Sequence, residues 1–199
     1  MKRGIAVFFI VLLTVTLLVG CSSNEEEPLV VGMELAYPPF ETKNNEGEPD
    51  GVSVALANAL GEYLQKPVRI ENTNWDGLIP SLQTGGVDVV LSSMTITAER
   101  AESVDFSDPY AHAYLALLVN KESAVDEVED LNQAEMVIAV KKGTTGHLYA
   151  QNNLSNATIN ALSSENACVM EVVQGKADAF IYDQLTIYRQ SQSNPDVTK

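Results

Sequence analysis

The chain contains two stretches in which strand-like and helix-like segments alternate, and this alternation constrains the fold more than any other feature. In the first stretch, residues 52–64 carry apolar side chains at helical spacing, and residues 87–91 form a short β-branched run that indicates a buried strand. Such alternation predicts parallel sheets with right-handed crossovers and therefore an α/β fold. Strands are predicted at 29–35, from residue 68 onward and at 87–91, and helices at 52–64 and 78–83. The helix at 52–64 has a predicted apolar face of Val52, Leu56, Ala59, Leu60 and Tyr63.

The second stretch repeats the order strand, helix, strand, helix, strand. Strands are predicted at 136–140, 157–162 and 179–182, and helices at 145–151 and at 165–174, the last one capped by Ser164 and ended by Gly175. We expect two lobes, because a strongly strand-like run at 113–119 separates the two stretches and is followed by acidic residues. The predicted boundaries are 29–112 for lobe one, 113–120 for the crossing segment and 121–199 for an incomplete lobe two. A ligand would close the cleft between the lobes by contacting both.

Hydroxyl residues and an arginine follow the predicted strand at 87–91. Ligands of open α/β sheets collect beyond the carboxyl ends of strands, and the guanidinium of Arg100 matches a carboxylate in two-point geometry. Arginine is electrostatically unfavourable near a helix N-terminus, which Thr97 would cap here. We therefore expect Arg100 to face an anion, and the cap at Thr97 is compatible with that role.

The third strands of the two stretches can be aligned. Residues 85–91 then fall on residues 175–181, and Ser93 falls on Asp183. If this weak internal repeat is more than coincidence, Ser93 and Asp183 occupy matching sites at the tips of equivalent strands in the two lobes. A carboxylate at one tip and Arg100 near the other would suit a zwitterion.

Several short motifs in a fixed order resemble one protein family. They are Tyr37-Pro-Pro-Phe40, Gly51-Val-Ser-Val54, Trp75 to Leu82, Ser92 to Arg100, Asp105 to Tyr110, Gly143-Thr-Thr-Gly146 and Ala177-Asp-Ala179 through Asp183. Each motif alone is weak, but the ordered set is similar to the bacterial extracellular solute-binding proteins of family 3, which bind amino acids for ABC transporters. The resemblance implies a two-lobed periplasmic-binding-protein-like fold with parallel-rich sheets, a monomer, a free amino acid as ligand and a membrane permease as partner.

The resemblance also implies roles for individual residues. Arg100 would hold the α-carboxylate, Asp183 would take the α-ammonium, and Tyr37 and Trp75 would flank the ligand side chain. The aromatic residues could instead be core residues, and Asp183 could cap a helix from residue 184. Glu34 could favour a cationic ligand tip, that is, lysine, arginine or histidine. The whole expected ligand-binding set is Glu34, Tyr37, Trp75, Ser93, Met94, Thr95, Arg100, Thr144, Thr145 and Asp183.

The amino terminus indicates export. Met1-Lys-Arg3 is basic, residues 5–19 are almost wholly apolar, and Leu18-Val-Gly-Cys21 resembles a bacterial lipobox, so residues 1–20 read as a lipoprotein signal peptide. We expect lipid such as palmitate on Cys21, which would anchor the protein to the membrane outside the cytoplasm, although an incidental cysteine is the alternative. Residues 21–28 then form an acidic tether.

Charge and cysteine content exclude several classes of protein. The chain has 12 basic and 27 acidic residues, a formal net charge of −15, and such a surface repels nucleic acid. If Cys21 carries lipid, Cys168 is left alone and reads as a buried, inert thiol. His112 and His147 are isolated and no metal-ligand spacing is present, so we expect neither a metal nor another cofactor.

Two other functions fit the same scaffold. One is a periplasmic dehydratase with Glu34 or Glu41 as its acid, although no acid–base partner of defined spacing is visible, so we expect no enzyme. The other is the ligand-sensing domain of a receptor. Because the chain stops at Lys199, without the second crossing segment of the family, we expect a C-terminal truncation and exposed apolar surface on lobe one. The amino acid bound, and whether the cell has one membrane or two, stay open.

Overall fold

The computed structural model describes residues 26–199, so the predicted signal peptide, Cys21 and most of the acidic tether lie outside the described residues. The described chain forms two lobes, each built around its own sheet. Within residues 26–199, no helix has both the length and the apolar character that crossing a membrane requires.

Lobe one is built around a three-stranded parallel sheet. Its elements are β1 (Leu29–Met33), β2 (Thr42–Lys43), β3 (Pro49–Asp50), α1 (Val52–Leu64), β4 (Val68–Asn72), a 3₁₀ turn (Trp75–Gly77), α2 (Leu78–Gln83), β5 (Val89–Val90) and α3 (Ala98–Ala101). The sheet has the order β4-β1-β5, while β2 and β3 form a separate antiparallel pair. The fully buried Val31 and Met33 of β1 lie in its core.

Lobe two has a four-stranded sheet in the order β6-β9-β7-β8. Its elements are β6 (Leu115–Val119), a 3₁₀ turn (Val128–Leu131), β7 (Val137–Lys141), α4 (Thr145–Asn153), β8 (Thr158–Leu162), α5 (Glu165–Val173), β9 (Ala179–Asp183) and α6 (Gln184–Ser193). Strand β7 runs parallel to β8 and β9, and β6 runs antiparallel to β9. The last residues continue this sheet, since the Val119 and Lys199 backbones exchange hydrogen bonds of 3.1 and 3.0 Å.

The structure confirms the predicted α/β class and most of the elements. Helices α1 and α2 have the predicted bounds, whereas the strand expected at 87–91 is reduced to Val89–Val90. Both predicted hydroxyl caps are present, because Thr97 accepts from the Arg100 N–H and Ser164 accepts from the Ala167 N–H. Strands β1, β5, β7, β8 and β9 end within two residues of their predicted ends, and their carboxyl ends and the following loops meet at the cleft.

The predicted apolar face of α1 is wrong at four of its five residues; only Leu60 is half-buried and packs against the core of lobe one. Val52, Leu56 and Tyr63 are 54%, 40% and 84% exposed, and Ala59 is exposed too. The buried face is instead formed by small residues with one valine, namely Ser53, Val54, Ala57 and Gly61. Small side chains let the helix axis approach the sheet closely, and this close approach outweighs the apolar spacing.

Gly61 tests this close approach. A Cβ at Gly61 would lie 2.2 Å from Val68 Cγ2 and 2.9 Å from the Lys66 carbonyl oxygen. We expect Gly61→Ala to lower the free energy of unfolding by about 1–3 kcal/mol through overpacking, although alanine is the better helix former. Urea unfolding of both proteins measures the change. Asn58→Ala, on the exposed side of the same helix, is the control and should be neutral or slightly stabilising; a stabilised Gly61→Ala variant would contradict the close approach.

Candidate functional site: the cleft between the lobes

A cavity of about 170 Å³ lies between the two lobes. A single water needs about 10–15 Å³, so the cavity is large enough for a small molecule of several heavy atoms. Residues of lobe one, of the segment that leads into β6 and of lobe two all contribute to its wall. The lining residues are Glu34, Tyr37, Glu41, Trp75, Ser92, Ser93, Thr95, Arg100, Ala113, Tyr114, Leu115, Thr144, Thr145, Tyr182 and Asp183.

Arg100 brings a buried positive charge to this cavity. It is 8% exposed, and its guanidinium donates to the carbonyls of Thr95 at 2.6 Å and Gly143 at 3.0 Å. It also lies 5.3 Å from the centre of the Trp75 ring, a cation–π distance. Burial lowers the pKa of Arg100, and no carboxylate of residues 26–199 forms an ion pair with it. The site is therefore one in which an anion would be stabilised.

Asp183 ends β9 on the other lobe, and its two carboxylate oxygens lie in different surroundings. Its Oδ1 accepts hydrogen bonds from the N–H groups of Leu185 (3.0 Å) and Thr186 (3.1 Å), which caps α6. Its Oδ2 is buried and has no hydrogen-bond partner of good geometry in the described chain. The Tyr37 hydroxyl is the neighbouring donor beside this carboxylate, but it lies outside hydrogen-bond geometry; burial, and next the closeness of Asp183, raise the pKa of Tyr37. The cap thus fixes the carboxylate and leaves one oxygen for a donor in the cavity.

The first turn of α4 lies opposite Arg100. Thr144 caps the helix by accepting from the His147 N–H, and its own hydroxyl donates to the Lys141 carbonyl at 2.8 Å. Gly143 precedes the cap with a φ of 73°, and a Cβ there would lie 3.5 Å from Trp75 Nε1. Helix N-termini favour anions, so Thr145 and the backbone around it suit the same negative group as Arg100.

Glu34 is paired with a residue that the sequence did not single out. Lys141, at the end of β7, is 3% exposed and forms an ion pair across the cleft with the Glu34 carboxylate. Its ammonium lies 5.6 Å from the Trp75 ring centre, so Trp75 contacts two cations. The expectation of a cationic ligand tip assumed that the Glu34 carboxylate is unpaired. In the structure this carboxylate is already paired with Lys141.

Glu41 is a second residue of the site whose environment the sequence did not indicate. It is 1% exposed and accepts hydrogen bonds from the hydroxyls of Ser53 at 2.6 Å and Ser93 at 3.0 Å. Ser93 has a φ of 51°, which is unusual for a residue other than glycine, and this hydrogen bond supports it. Burial raises the pKa of Glu41 from 4.5 to about 7, although the two hydroxyls oppose the shift.

Nine of the ten residues predicted to bind ligand line the cavity. Met94 is the exception: it is half-buried, and its neighbours Ser93 and Thr95 take the lining positions of this segment. The lining residues outside the predicted ligand-binding set are Glu41, which the sequence analysis named only as a candidate acid, and Ser92, Ala113, Tyr114, Leu115 and Tyr182. Of these, residues 113–115 could have been found, because a segment that leads from one lobe into the next must pass the cleft.

The buried Glu41 carboxyl predicts a pH-dependent stability. The folded protein keeps this proton up to a pH of about 7, whereas an unfolded chain releases it near 4.5, so the free energy of unfolding falls between these values as the pH rises. Glutamine cannot ionise, and we expect Glu41→Gln to gain about 2 kcal/mol relative to the parent protein on going from about pH 5 to about pH 8. Urea unfolding at both pH values measures this. Glu62→Gln, an exposed site on α1, is the control, and an equal pH dependence in all three proteins would contradict the assignment.

Comparison with known proteins adds the family. Residues 29–174 match the bacterial extracellular solute-binding proteins, family 3. The L-arginine-binding protein of Pseudomonas aeruginosa is 36% identical over 166 residues, which are 81% of this chain and 63% of that protein. The glutamine-binding protein of Geobacillus stearothermophilus is 29% identical, over 98% of this chain and 86% of that protein.

A solved structure shows the same architecture. The ancestral amino acid-binding protein described as a precursor of cyclohexadienyl dehydratase has a TM-score of 0.78 and 40% identity, over 83% of this chain and 74% of that one. The chain spans less than two thirds of the length of the arginine-binding relative. The ordered motifs, the two-lobed fold and the matched region agree: the chain belongs to the bacterial extracellular solute-binding proteins of family 3.

Proposed function

We propose that the protein captures a free amino acid in the cleft between its lobes. One observation carries this proposal. Within residues 26–199, the buried Arg100 guanidinium forms no ion pair and one buried Asp183 oxygen accepts no hydrogen bond of good geometry, and both residues line the same cavity from opposite lobes. The α-carboxylate of an amino acid would accept from Arg100 and the α4 N-terminus, and its ammonium would donate to Asp183. Each charge-assisted hydrogen bond contributes about 1.5–3 kcal/mol net, and each one also resolves an unfavourable buried charge.

The Glu34–Lys141 ion pair limits which amino-acid side chains the cavity can accept. Within the pair, the carboxylate offers an acceptor and the ammonium offers a donor, and the two charges neutralise each other. A carboxamide carries both a donor and an acceptor, so it can contact both partners without separating them. A cationic tip would have to displace Lys141 from Glu34. We therefore place glutamine and asparagine ahead of arginine and lysine, within the basic or polar class that the sequence suggests.

The sequence and the family support a proposed cellular setting outside the cytoplasm. Residues 1–20 are proposed to direct export, and Cys21 to carry the lipid that holds the protein at the outer face of the membrane. Residues 29–112, 113–120 and 121–199 are the proposed lobe one, crossing segment and lobe two. The bound amino acid would then pass to the permease of an ABC importer. Mass spectrometry of the N-terminal peptide checks the lipid, and an unmodified cysteine would argue against it.

Titration calorimetry with a panel of amino acids tests the ligand. We expect L-glutamine to bind more tightly than L-arginine, L-lysine and L-glutamate, and we expect Arg100→Lys to raise the Kd by about tenfold to a hundredfold, because an ammonium cannot reproduce the planar fork. Arg69→Lys, at an exposed arginine of lobe one, is the control and should bind as the parent protein does. Tight binding of arginine with no binding of glutamine would overturn the assignment of the side chain.

A second function has one specific observation in its favour. A carboxylic acid with a pKa of about 7, such as Glu41, lies in the cavity wall and is suited to general acid catalysis near neutral pH. We nevertheless propose a binding protein and no enzyme, because the other carboxylates of the described cavity wall have other partners: Glu34 pairs with Lys141, and Asp183 caps α6. Failure of the whole panel to bind, with the appearance of aromatic ultraviolet absorbance from a cyclohexadienyl substrate, would favour a dehydratase instead.

Removal of Lys141 should change the preferred ligand. Lys141→Met leaves the Glu34 carboxylate without its cation, so we expect the ratio of the Kd for L-glutamine to that for L-arginine to rise about tenfold or more in favour of arginine. Lys142→Met removes the same charge from the exposed neighbouring position and should leave the ratio unchanged. Calorimetry of the three proteins with both ligands gives the ratios. An unaltered ratio in Lys141→Met would show that the ion pair does not set specificity.

A further inference from the structure

Side-chain hydrogen bonds connect the two lobes at three places within residues 26–199. Arg100 donates to the Gly143 carbonyl, and Lys141 donates to Glu34. In the third, Arg189 of lobe two donates to the Pro38 carbonyl of lobe one at 2.5 Å. The first two bonds each include a residue that lines the cavity, whereas neither Arg189 nor Pro38 does. The third bond therefore joins the lobes without a direct role in holding a ligand.

The Arg189 guanidinium is held in place by its own lobe. Its second terminal nitrogen donates to Glu165 at 3.1 Å, and the Gln190 amide donates to the same carboxylate oxygen at 3.0 Å. The Glu165 side chain is only 10% exposed and Arg189 is 34% exposed, so the pair is partly shielded from water. A guanidinium with one nitrogen on Glu165 and the other free for lobe one is pre-oriented, and little rotamer freedom is lost when the lobes meet.

The acceptor on lobe one is next to the ligand site. Pro38 directly follows Tyr37, whose side chain lines the cavity beside Asp183. Helix α6, which carries Arg189, begins at the Asp183 cap. The bond thus links the loop that carries Tyr37 to the helix that Asp183 caps, at a point outside the cavity wall. Because its donor and acceptor belong to different lobes, opening the cleft must break it.

We propose that Arg189, oriented by Glu165, is a latch that holds the lobes closed over the ligand without touching it. The proposal rests on the proposed capture of an amino acid between the lobes. A contact made only in the closed arrangement stabilises that arrangement and slows its opening. Since a bound ligand leaves when the cleft opens, Arg189 is a positioning residue for retention of the ligand and acts mainly on the dissociation rate.

Stopped-flow fluorescence measures the ligand dissociation rate, because Trp75 is the only tryptophan of the chain and lines the cavity. With L-glutamine and L-arginine as probes, we expect Arg189→Gln to raise the dissociation rate about tenfold and to change the association rate by less than about twofold. Arg189→Lys should restore part of the loss, since one ammonium can reach Pro38 or Glu165 but does not reproduce the fork. Arg69→Gln removes one positive charge without touching lobe two and is the matched control.

Small-angle X-ray scattering of the same proteins without ligand separates the latch from the proposed function. A larger radius of gyration for Arg189→Gln than for the parent and Arg69→Gln proteins supports the latch even if no amino acid binds, in which case only the proposed function fails. An unchanged dissociation rate together with an unchanged radius of gyration overturns the latch, whether or not binding is tight. A parallel fall in the association rate, with a lower urea midpoint, would indicate general destabilisation and would also overturn it.

Discussion

The buried charge of Arg100 is the constraint on which the arrangement of the cleft depends. A guanidinium removed from water is destabilised unless its donors are satisfied and its charge is balanced. Two backbone carbonyls satisfy some of the donors, one of them from each lobe, but neither supplies a negative charge. The positive charge of Arg100 thus remains unbalanced within the described chain, and the N-terminus of α4 on the facing lobe adds more positive character. Such a site would stabilise an anionic group, and under the proposed function its capture would depend on the approach of the two lobes.

The features of the fold and site that the sequence predicts are the local ones. Helix bounds, the caps at Thr97 and Ser164, and the strand end at Asp183 follow from neighbouring residues, because capping and termination involve only a few adjacent groups. The same reasoning failed for α1. Its apolar spacing suggests one face, while the packing follows the smallest residues, since Gly61 leaves no space for a side chain against Val68. Periodicity reports the chemistry of a face but not how closely the backbone must approach its neighbour.

The pairings within the cleft lie beyond local sequence reasoning. Lys141 and Glu34 are 107 positions apart, and the hydroxyl of Ser93 reaches Glu41 across 52 positions. Each partner, considered alone, is an ordinary charged or polar residue near a strand or in a loop. Only the register of two separate sheets, and the way the lobes meet, determines that they pair. This is why Glu34 suggests a cation-binding position in the sequence and is already neutralised by Lys141 in the structure.

The acidic surface is the reason that the neutralisation of Glu34 by Lys141 affects ligand preference. With a formal net charge of −15, the protein attracts cationic amino acids from solution whatever its cleft contains, and such steering acts on the association rate. A neutral zwitterion gains no such help, so a preference for it must arise inside the cavity and appear in the dissociation rate. The Glu34–Lys141 ion pair removes the free negative charge of Glu34 and so favours a neutral zwitterion over a cationic one. In the proposed binding protein, the lobe contacts and the cavity chemistry would then act on the same quantity, namely how long the ligand stays bound.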